Sequence, residues 1–389
     1  MRLFKGIRIL YSDLRSLLKR EVDFYKINPN TSTLFLTYRC NSKCKTCTMW
    51  LRPHDEEIRK EIDLDGWRTI IDKISDAGIR TAEIFGGNVL LRKEVLIPVL
   101  KCLYDKGMAV HLPTNQIGLD DDVADAIVKY VNTVYISIDG LGDQQDEIRG
   151  IAGASNLSED SIAKLLRHRK ENHENNNKLI IVCNYTVSKF NLENMHGIVQ
   201  YAINKCFDEI HFEYAGEFDR IDVENSKING IIPEPYYIKQ DSSILTDKEG
   251  AERIKRNITD IKKTYQNSNI TISTLNIDSI SVKNMYQGTI PHNKCYVERG
   301  EVTIDPYGNM VVCPFINNYS MGNVLISAFK EIWNNERHKY FRKIQNSGAL
   351  PMCKHCILGV QRNPGVIKSL QRIYLTRIKP VLSRRHGLK

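Results

Sequence analysis

The chain has 389 residues, of which 42% are hydrophobic, and a net charge of +9 at pH 7. This length and composition exclude a disordered chain and suit one barrel-sized domain with a smaller one. No run of eighteen apolar residues is present, so no segment is predicted to span a membrane. Ten cysteines without a signal peptide indicate a reducing compartment, so we expect a cytoplasmic protein without a disulfide framework.

The positive charge is concentrated at the two ends of the chain. Residues 1–20 carry a net charge of +5 and residues 365–389 carry +7, which leaves −3 for the remainder. Both ends have apolar residues at the three- and four-residue steps of amphipathic helices. The first end alone suits a capping helix and a lipid-bound helix equally, whereas both together favour reversible association with the anionic inner face of a membrane. Nucleic acid is not an expected partner, since a basic surface would then lie on the folded domain.

Strands and helices alternate along the first half of the chain. The predicted strands are residues 33–39, 81–85, 109–112, 133–138, 179–187 and 209–214. The predicted helices are residues 64–77, 94–105, 121–130, 159–170 and 192–204. This order predicts an α/β fold whose parallel sheet is closed partway into a barrel. Ligands of such sheets bind beyond the carboxyl ends of the strands, where polar residues are gathered here.

Three cysteines, Cys40, Cys44 and Cys47, follow the first predicted strand within eight residues. Thiolates are ligands of iron–sulfur clusters, and three ligands for four irons leave one iron open to bind another molecule. A zinc knuckle is the alternative. It is less favoured because the next candidate ligand, His54, lies seven residues beyond Cys47.

A second set of four cysteines follows later in the chain: Cys295, Cys313, Cys353 and Cys356. Four thiols can saturate one cluster, and a zinc site made by the same four is the alternative. A hairpin is predicted across Gly308, just before Cys313. The remaining cysteines are Cys102, Cys183 and Cys206, which we interpret as small core residues, with a hydrogen-atom donor at Cys183 as the alternative.

The first cysteine set resembles the Cys-x-x-x-Cys-x-aromatic-Cys signature of the radical S-adenosylmethionine (radical SAM) superfamily, with Thr46 replacing the aromatic residue. The resemblance implies a partial (β/α)6 TIM-like barrel in which a [4Fe-4S] cluster binds SAM. Met49 or Trp50 would then supply the adenine contact. A flavodoxin- or ferredoxin-type protein is the implied electron donor.

The resemblance extends to the segment 85–92, which looks like the family's Gly-Gly-Glu-Pro segment with Asn88 and Val89 in place of Glu and Pro. An amide oxygen at Asn88 would hold the SAM ammonium more weakly than a carboxylate. Ser137 and Asp139 match ribose contacts, and Arg149 matches an arginine near the SAM carboxylate. The implied SAM contacts are Gly86, Gly87, Asn88, Asn115, Ser137, Asp139, Arg149 and Asn184.

The spacing from Gly308 to Cys313 reproduces the Gly-x-x-x-x-Cys of SPASM and Twitch domains. No cysteine follows Cys356, so the resemblance implies the shorter Twitch type with one auxiliary [4Fe-4S] cluster that accepts or relays an electron. The expected divisions are an amphipathic helix in 1–30, the partial barrel in 31–216, a barrel-closing substrate segment in 217–292, the auxiliary domain in 293–363 and a basic tail in 364–389.

These features predict an enzyme that cleaves SAM to a 5′-deoxyadenosyl radical and takes a hydrogen atom from its substrate, with oxidation or epimerisation as the outcome. The basic ends favour a lipid or lipid-linked carbohydrate substrate. A soluble sugar or amino alcohol comes next. A ribosomal peptide comes last, because about 30 residues before the first strand are too few for a leader-binding domain. A non-catalytic iron–sulfur carrier or zinc protein is the non-enzyme alternative.

Overall fold

The computed structural model describes residues 29–172, 179–290, 295 and 300–358. The two basic amphipathic ends predicted from the sequence fall on residues 1–28 and 359–389, so they lie outside the described residues. A membrane-spanning segment is not found among the described helices, because none combines the necessary length and hydropathy.

Ten strands are present in the described part of the chain and form one continuous sheet. The strands are β1 Thr31–Thr37, β2 Thr81–Gly86, β3 Ala109–Thr114, β4 Thr133–Ser137, β5 Ile180–Val187, β6 Glu209–Tyr214, β7 Thr271–Ser273, β8 Glu301–Ile304, β9 Asn309–Val311 and β10 Ser320–Asn323. Their order across the sheet is β10-β9-β8-β1-β2-β3-β4-β5-β6-β7. Strands β8 and β1 to β7 pair in parallel, and β9 and β10 pair antiparallel beyond them.

The helices cover one face of the parallel sheet. Those described are α1 His54–Lys60, α2 Leu64–Asp76, α3 Lys93–Asp105, α4 Asp121–Tyr130, α5 Asp143–Arg149, α6 Ala154–Glu171, α7 Met195–Asn204, α8 Arg220–Glu224, α9 Lys248–Thr264, α10 Leu275–Ser279, α11 Val282–Gln287, α12 Phe329–Ile332 and α13 Glu336–Asn346. The apolar stripe of α2, formed by Trp67, Ile70, Ile71 and Ile74, is fully buried against the sheet.

The strands bury one side and leave the other partly open. Val110 and Leu112 of β3 are fully buried in the apolar core, whereas His111 between them is not. The same alternation occurs in β6, where Ile210 and Phe212 are buried. Because side chains alternate across a strand, the partly open residues face the concave side of the partial barrel. The predicted α/β fold is therefore confirmed.

The C-terminal hairpin predicted across Gly308 is present and continues the barrel sheet. Gly308 has a φ of +83°, and β8 and β9 pair antiparallel across it. Strand β8 also pairs in parallel with β1, which the sequence did not predict. The region that carries the second cysteine set is thereby joined by hydrogen bonds to the strand that leads into the first set.

Two helices begin at other residues than the local sequence pattern indicates. Thr246 and Glu249 have the spacing of a capping box, but α9 is capped by Asp247, whose carboxylate accepts a hydrogen bond from Gly250 N at 2.8 Å. The helix predicted at 159–170 begins earlier, at Ala154. It is preceded by α5, a short helix without enough apolar residues to give a periodic pattern.

Candidate cluster and cofactor site

The loop with Cys40, Cys44 and Cys47 leaves the carboxyl end of β1 and rests on the end of β2. Gly87 N donates to Thr37 O at 3.0 Å, and Asn88 N donates to Arg39 O at 2.7 Å. A Cβ on Gly87 would lie 2.1 Å from Arg39 O and 2.9 Å from Cys40 Cβ. Gly87 is therefore needed for the close approach of these two backbones, which is a positioning role in addition to its predicted SAM contact.

The opposite side of the cysteine loop rests on the end of α5. Lys45 N donates to Ile148 O at 2.9 Å. Gly150 has a φ of +65°, and a Cβ there would lie 2.4 Å from Lys43 O. The loop is thus held between β2 and α5, which fixes the directions of its three thiols.

The three thiols and Arg149 lie close enough to influence one another. Burial raises the pKa of Cys47 to about 12, and the nearby Cys44 and Cys40 thiols add to that increase. The cation of Arg149 acts in the opposite direction on the pKa of both Cys40 and Cys47. A partly buried set of three thiols fits a cluster whose irons displace the thiol protons and leave one iron open.

Within the described residues, no three or more His, Cys, Asp or Glu side chains are arranged to hold a single metal ion. His54, the fourth ligand in the zinc interpretation, has a different partner. Its Nε2 accepts a hydrogen bond from Cys40 N at 3.2 Å, so this side chain supports the cysteine loop.

Most of the predicted SAM contacts lie at or just beyond the carboxyl ends of β2, β3 and β4, whereas Arg149 is the last residue of α5 and Asn184 lies within β5, paired with Ser137. Gly86, Gly87, Asn115, Ser137, Arg149 and Asn184 are all partly exposed. Asn115 Nδ2 donates to Ser42 Oγ, next to the first thiols, at 2.9 Å. Their contact with SAM stays a prediction that this shared location supports.

Asn88 and Asp139 are instead enclosed, each with only 2% of its surface exposed. Asn88 Nδ2 donates to Asn41 Oδ1 and to Ile117 O, both at 2.9 Å, and its Oδ1 accepts from Leu90 N at 3.1 Å. Direct contact between either residue and SAM stays a prediction, and it would require a local rearrangement.

A buried ion network at the end of β1 was missed in the sequence. Glu61 pairs with Arg39 at 2.8 Å and with Arg92 at 3.4 Å, and Thr37 also donates to its carboxylate. Arg92 donates to Leu36 O at 2.9 Å. The network ties the base of the cysteine loop to the segment after β2. The sequence offered one indication of this network, since Arg39 ends the first predicted strand and Arg92 follows the second.

The second cysteine set gathers in the same way as the first. Burial raises the pKa of Cys313 well above its usual value, and Cys356, Cys295 and Cys353 each add to the increase. The pKa of Cys353 is raised by burial first, then by Cys295 and Cys356. The four thiols are therefore near one another in a partly buried location, as the ligands of a cluster must be.

An aromatic pair, Tyr236 and Tyr237, lies between the two cysteine sets. Thr48, directly after Cys47, donates its N–H to Tyr236 O at 2.9 Å. The Tyr236 ring packs on Phe315, two residues after Cys313, with 5.0 Å between centroids. Burial raises the pKa of Tyr236 well above its usual value, with Cys47 and Cys313 among the groups that add to it. The sequence predicted a substrate segment here but did not single out these residues, although the prolines at 233 and 235 indicate a rigid loop.

Polar side chains line the concave side of the barrel. His111 and Tyr135 stack with 6.3 Å between ring centroids, and His211 Nε2 lies 3.8 Å from Glu213 Oε1. Burial raises the pKa of Tyr237 well above its usual value, and nearby Cys47 and Glu213 add to the increase. The concave side thus offers hydrogen-bonding groups next to the first cysteine set.

The remaining cysteines are away from this face. Cys183 is fully buried on the helix-facing side of β5, and Cys102 is partly buried in α3. Cys206 is exposed beyond the end of α7, so its interpretation as a core residue is wrong. The location of Cys183 favours the core interpretation over a hydrogen-atom donor.

Comparison with known families agrees with this geometry. The profile of the radical SAM superfamily matches residues 34–196, and the SPASM profile, an iron–sulfur cluster-binding domain, matches residues 295–357. The chain belongs to the radical SAM superfamily. It is a radical SAM enzyme with a C-terminal SPASM domain, and its cofactors are SAM, a SAM-binding [4Fe-4S] cluster and an auxiliary [4Fe-4S] cluster. Four thiols in the second set suit one auxiliary cluster.

Similar proteins carry several activities. The tungsten-containing aldehyde ferredoxin oxidoreductase cofactor-modifying protein of Pyrococcus furiosus is 21% identical over 84% of this chain and 86% of its own length. A PqqA peptide cyclase of Xanthomonas euvesicatoria is 24% identical, over 48% of this chain and 49% of its own. The crystal structure of Streptococcus suis SuiB bound to the precursor peptide SuiA has a TM-score of 0.58 at 16% identity, and covers 89% of this chain and 76% of that one. At 16% identity, the similarity to SuiB shows a shared fold only.

Proposed function

We propose that this radical SAM enzyme oxidises a polar group of a substrate bound on the concave side of the barrel. The observation that carries the proposal is the location of Tyr236 and Tyr237, which touch the loop of the first cysteine set and pack against the second. A substrate held there would lie beside both sets. Bound SAM and its cluster supply a 5′-deoxyadenosyl radical that takes a hydrogen atom from carbon, and a cluster saturated by four thiolates supplies electron transfer.

The protein side chains would bind and orient the substrate. The phenols of Tyr236 and Tyr237 are protonated hydrogen-bond donors at neutral pH, as an ordinary tyrosine is, and burial raises the pKa of each further. Glu213 and His211 of β6 offer hydrogen-bond acceptors on the concave side. Such a lining suits a substrate with hydroxyl, amine or amide groups, and the closed apolar core behind the strands excludes water from the helix-facing side.

A peptide is the substrate class that the relatives favour. One is named as a PqqA peptide cyclase, and SuiB was solved with a precursor peptide. A cofactor is the other class that these names suggest. The lipid or lipid-linked carbohydrate expected from the sequence has no support among these relatives, and the basic ends on which it rests lie outside the described residues. It stays a prediction, as do the membrane surface, the electron donor and the cytoplasmic location.

The reaction class is tested by anaerobic reconstitution with iron and sulfide, followed by dithionite and SAM. We expect 5′-deoxyadenosine from the unaltered chain and from Cys102→Ala, whose thiol lies in α3 outside both sets. Cys44→Ala should yield none, because the first cluster loses a ligand. Equal product from Cys44→Ala and the control would contradict the proposed role of the first set.

The substrate class is tested by the same assay with added candidates. A peptide substrate should raise 5′-deoxyadenosine formation and lose two mass units on oxidation, whereas a lipid-linked sugar should not. Flotation with anionic vesicles adds an independent measurement for the lipid class. If the intact chain floats, and a chain without residues 1–20 and 365–389 does not, the lipid-linked substrate gains support over the peptide.

A further inference from the structure

Asp139 follows β4 and is enclosed by hydrogen bonds on every polar atom. Its Oδ1 accepts from Thr186 N at 3.0 Å, and its Oδ2 accepts from Arg149 Nη1 at 2.8 Å. Its backbone N donates to Gln145 Oε1 at 2.8 Å, and its backbone O accepts from Asn191 Nδ2 at 2.9 Å. With 2% of its side chain exposed, the carboxylate has almost no surface on which a ribose could lie.

Arg149 is more open and faces the first cysteine set. Its side chain is 12% exposed, and its two chain neighbours, Ile148 and Gly150, contact the cysteine loop at Lys45 and Lys43. The guanidinium carries five N–H donors, of which Nη1 is turned to Asp139. Because Arg149 ends α5, which contacts the cysteine loop through Ile148 O, a carboxylate group of a ligand bound at that loop could accept hydrogen bonds from the other N–H donors.

The backbone that carries Arg149 is itself rigidly placed. Asp146 accepts hydrogen bonds from Gly153 N and Ser155 N at 2.5 and 2.8 Å, which fixes the turn after α5. Ile148 O accepts from Lys45 N at 2.9 Å. Only the long side chain of Arg149 then remains to be oriented. The buried carboxylate of Asp139 can orient this side chain, because a charged hydrogen bond offsets the conformational entropy that the arginine loses when it is held in one rotamer.

We infer that Asp139 serves SAM binding by holding the Arg149 guanidinium against the cysteine loop, and that it does not contact the ribose. Asp139 is thus a positioning residue that acts through Arg149. This inference rests on the expected contact between Arg149 and the SAM carboxylate. It assigns to the Ser-x-Asp pair at the end of β4 two separate roles, since Ser137 is partly exposed and Asp139 is not.

The test compares two ligands in four chains, all with both clusters reconstituted. The ligands are SAM and its decarboxylated analogue, which lacks the carboxylate but keeps the ribose. The chains are the unaltered protein, Asp139→Asn, Arg149→Lys and the double variant. Affinity is measured by equilibrium dialysis with both clusters oxidised, a state in which SAM is not cleaved, so no turnover is required.

We expect each single variant to weaken SAM binding about tenfold and to leave the affinity for the analogue within about twofold. The double variant should bind SAM no more weakly than Arg149→Lys alone, because both changes remove one interaction. The control is Glu147→Gln, an exposed position on the same helix that pairs with Lys45. It should leave both affinities unchanged.

Three results would overturn the inference. Asp139→Asn could weaken the binding of SAM and of its analogue equally, as loss of a ribose contact would. The two losses could multiply in the double variant, as independent contacts do. Asp139→Asn could also leave SAM binding unaltered. Equal weakening of both ligands by Arg149→Lys would instead contradict the carboxylate contact on which the inference rests. Should Asp139→Asn fail to retain clusters, Asp139→Glu is judged by the same pair of ligands.

Discussion

Gly87 lies where the end of β2 meets the base of the cysteine loop, and its lack of a side chain is a requirement of packing. A Cβ there would come within 2.1 Å of a backbone oxygen that cannot move away without shifting Cys40. The family resemblance pointed to this glycine as a cofactor contact. Its packing role depends on the contact between two chain segments that are nearly 50 residues apart, and no local sequence pattern reveals such a contact.

We predict that Gly87→Ala lowers the free energy of unfolding by about 2 kcal/mol, as overpacking does, and reduces the iron bound in the first set. The matched control is Gly300→Ala, where an added Cβ would meet no atom within 4 Å. Iron and sulfide content after reconstitution, with urea unfolding, measures both effects. Equal iron in the two variants would show that the loop tolerates the extra atom.

Individual elements followed from the sequence where a local signal was strong. The hairpin turn at Gly308 was predicted from its residues, and α4 and β6 have the predicted bounds. Helix α5 was missed because seven residues hold too little periodicity, although its end carries Arg149. The pairing of β8 with β1 depends on contacts nearly 270 residues apart, so the sequence could not give it.

The turn between β8 and β9 contains a buried acid that should make stability depend on pH. Burial raises the pKa of Asp305 from 3.8 to about 6, against the lowering effect of hydrogen bonds from Asn309 and Tyr307. The folded state therefore holds this proton more tightly than the unfolded state. The resulting stabilisation is complete below about pH 4 and is lost as the pH rises through about 6.

We predict that, between pH 5 and 7, the unfolding free energy of the unaltered chain falls by about 1 kcal/mol relative to Asp305→Asn, which cannot titrate. Urea unfolding at several pH values in this window measures the difference. Parallel pH profiles for the two proteins would mean that Asp305 is already ionised in the folded state at pH 5.

On the scale of the whole molecule, the barrel and the SPASM domain share one sheet, and a lysine side chain also joins them. Lys73 of α2 donates from Nζ to Val324 O at 2.5 Å, to Ser327 O at 3.1 Å and to Leu325 O at 3.3 Å. One ammonium group thus satisfies three carbonyls in the segment after β10. These hydrogen bonds join the SPASM domain to helix α2 of the barrel.

We predict that Lys73→Met destabilises the chain by on the order of 2 kcal/mol, because three carbonyls lose a charged donor. Limited proteolysis should cut the segment after β10 faster than in the unaltered chain. The control is Lys101→Met, an exposed pair with Asp105, which should change stability by less than about 0.5 kcal/mol. Identical proteolysis of Lys73→Met and the control would show that β8 alone holds the domain.

The central claim is that three thiolates near the start of the barrel leave an iron open to SAM. The direct measurement is electron-nuclear double resonance on a variant in which Cys295, Cys313, Cys353 and Cys356 are all replaced by Ala, so that no auxiliary cluster can form. The protein is reduced, mixed with SAM labelled with 15N in its amino group and 17O in its carboxylate, and frozen at once. We predict hyperfine couplings from both labels to the reduced cluster. A cluster spectrum unchanged by labelled SAM would contradict the account.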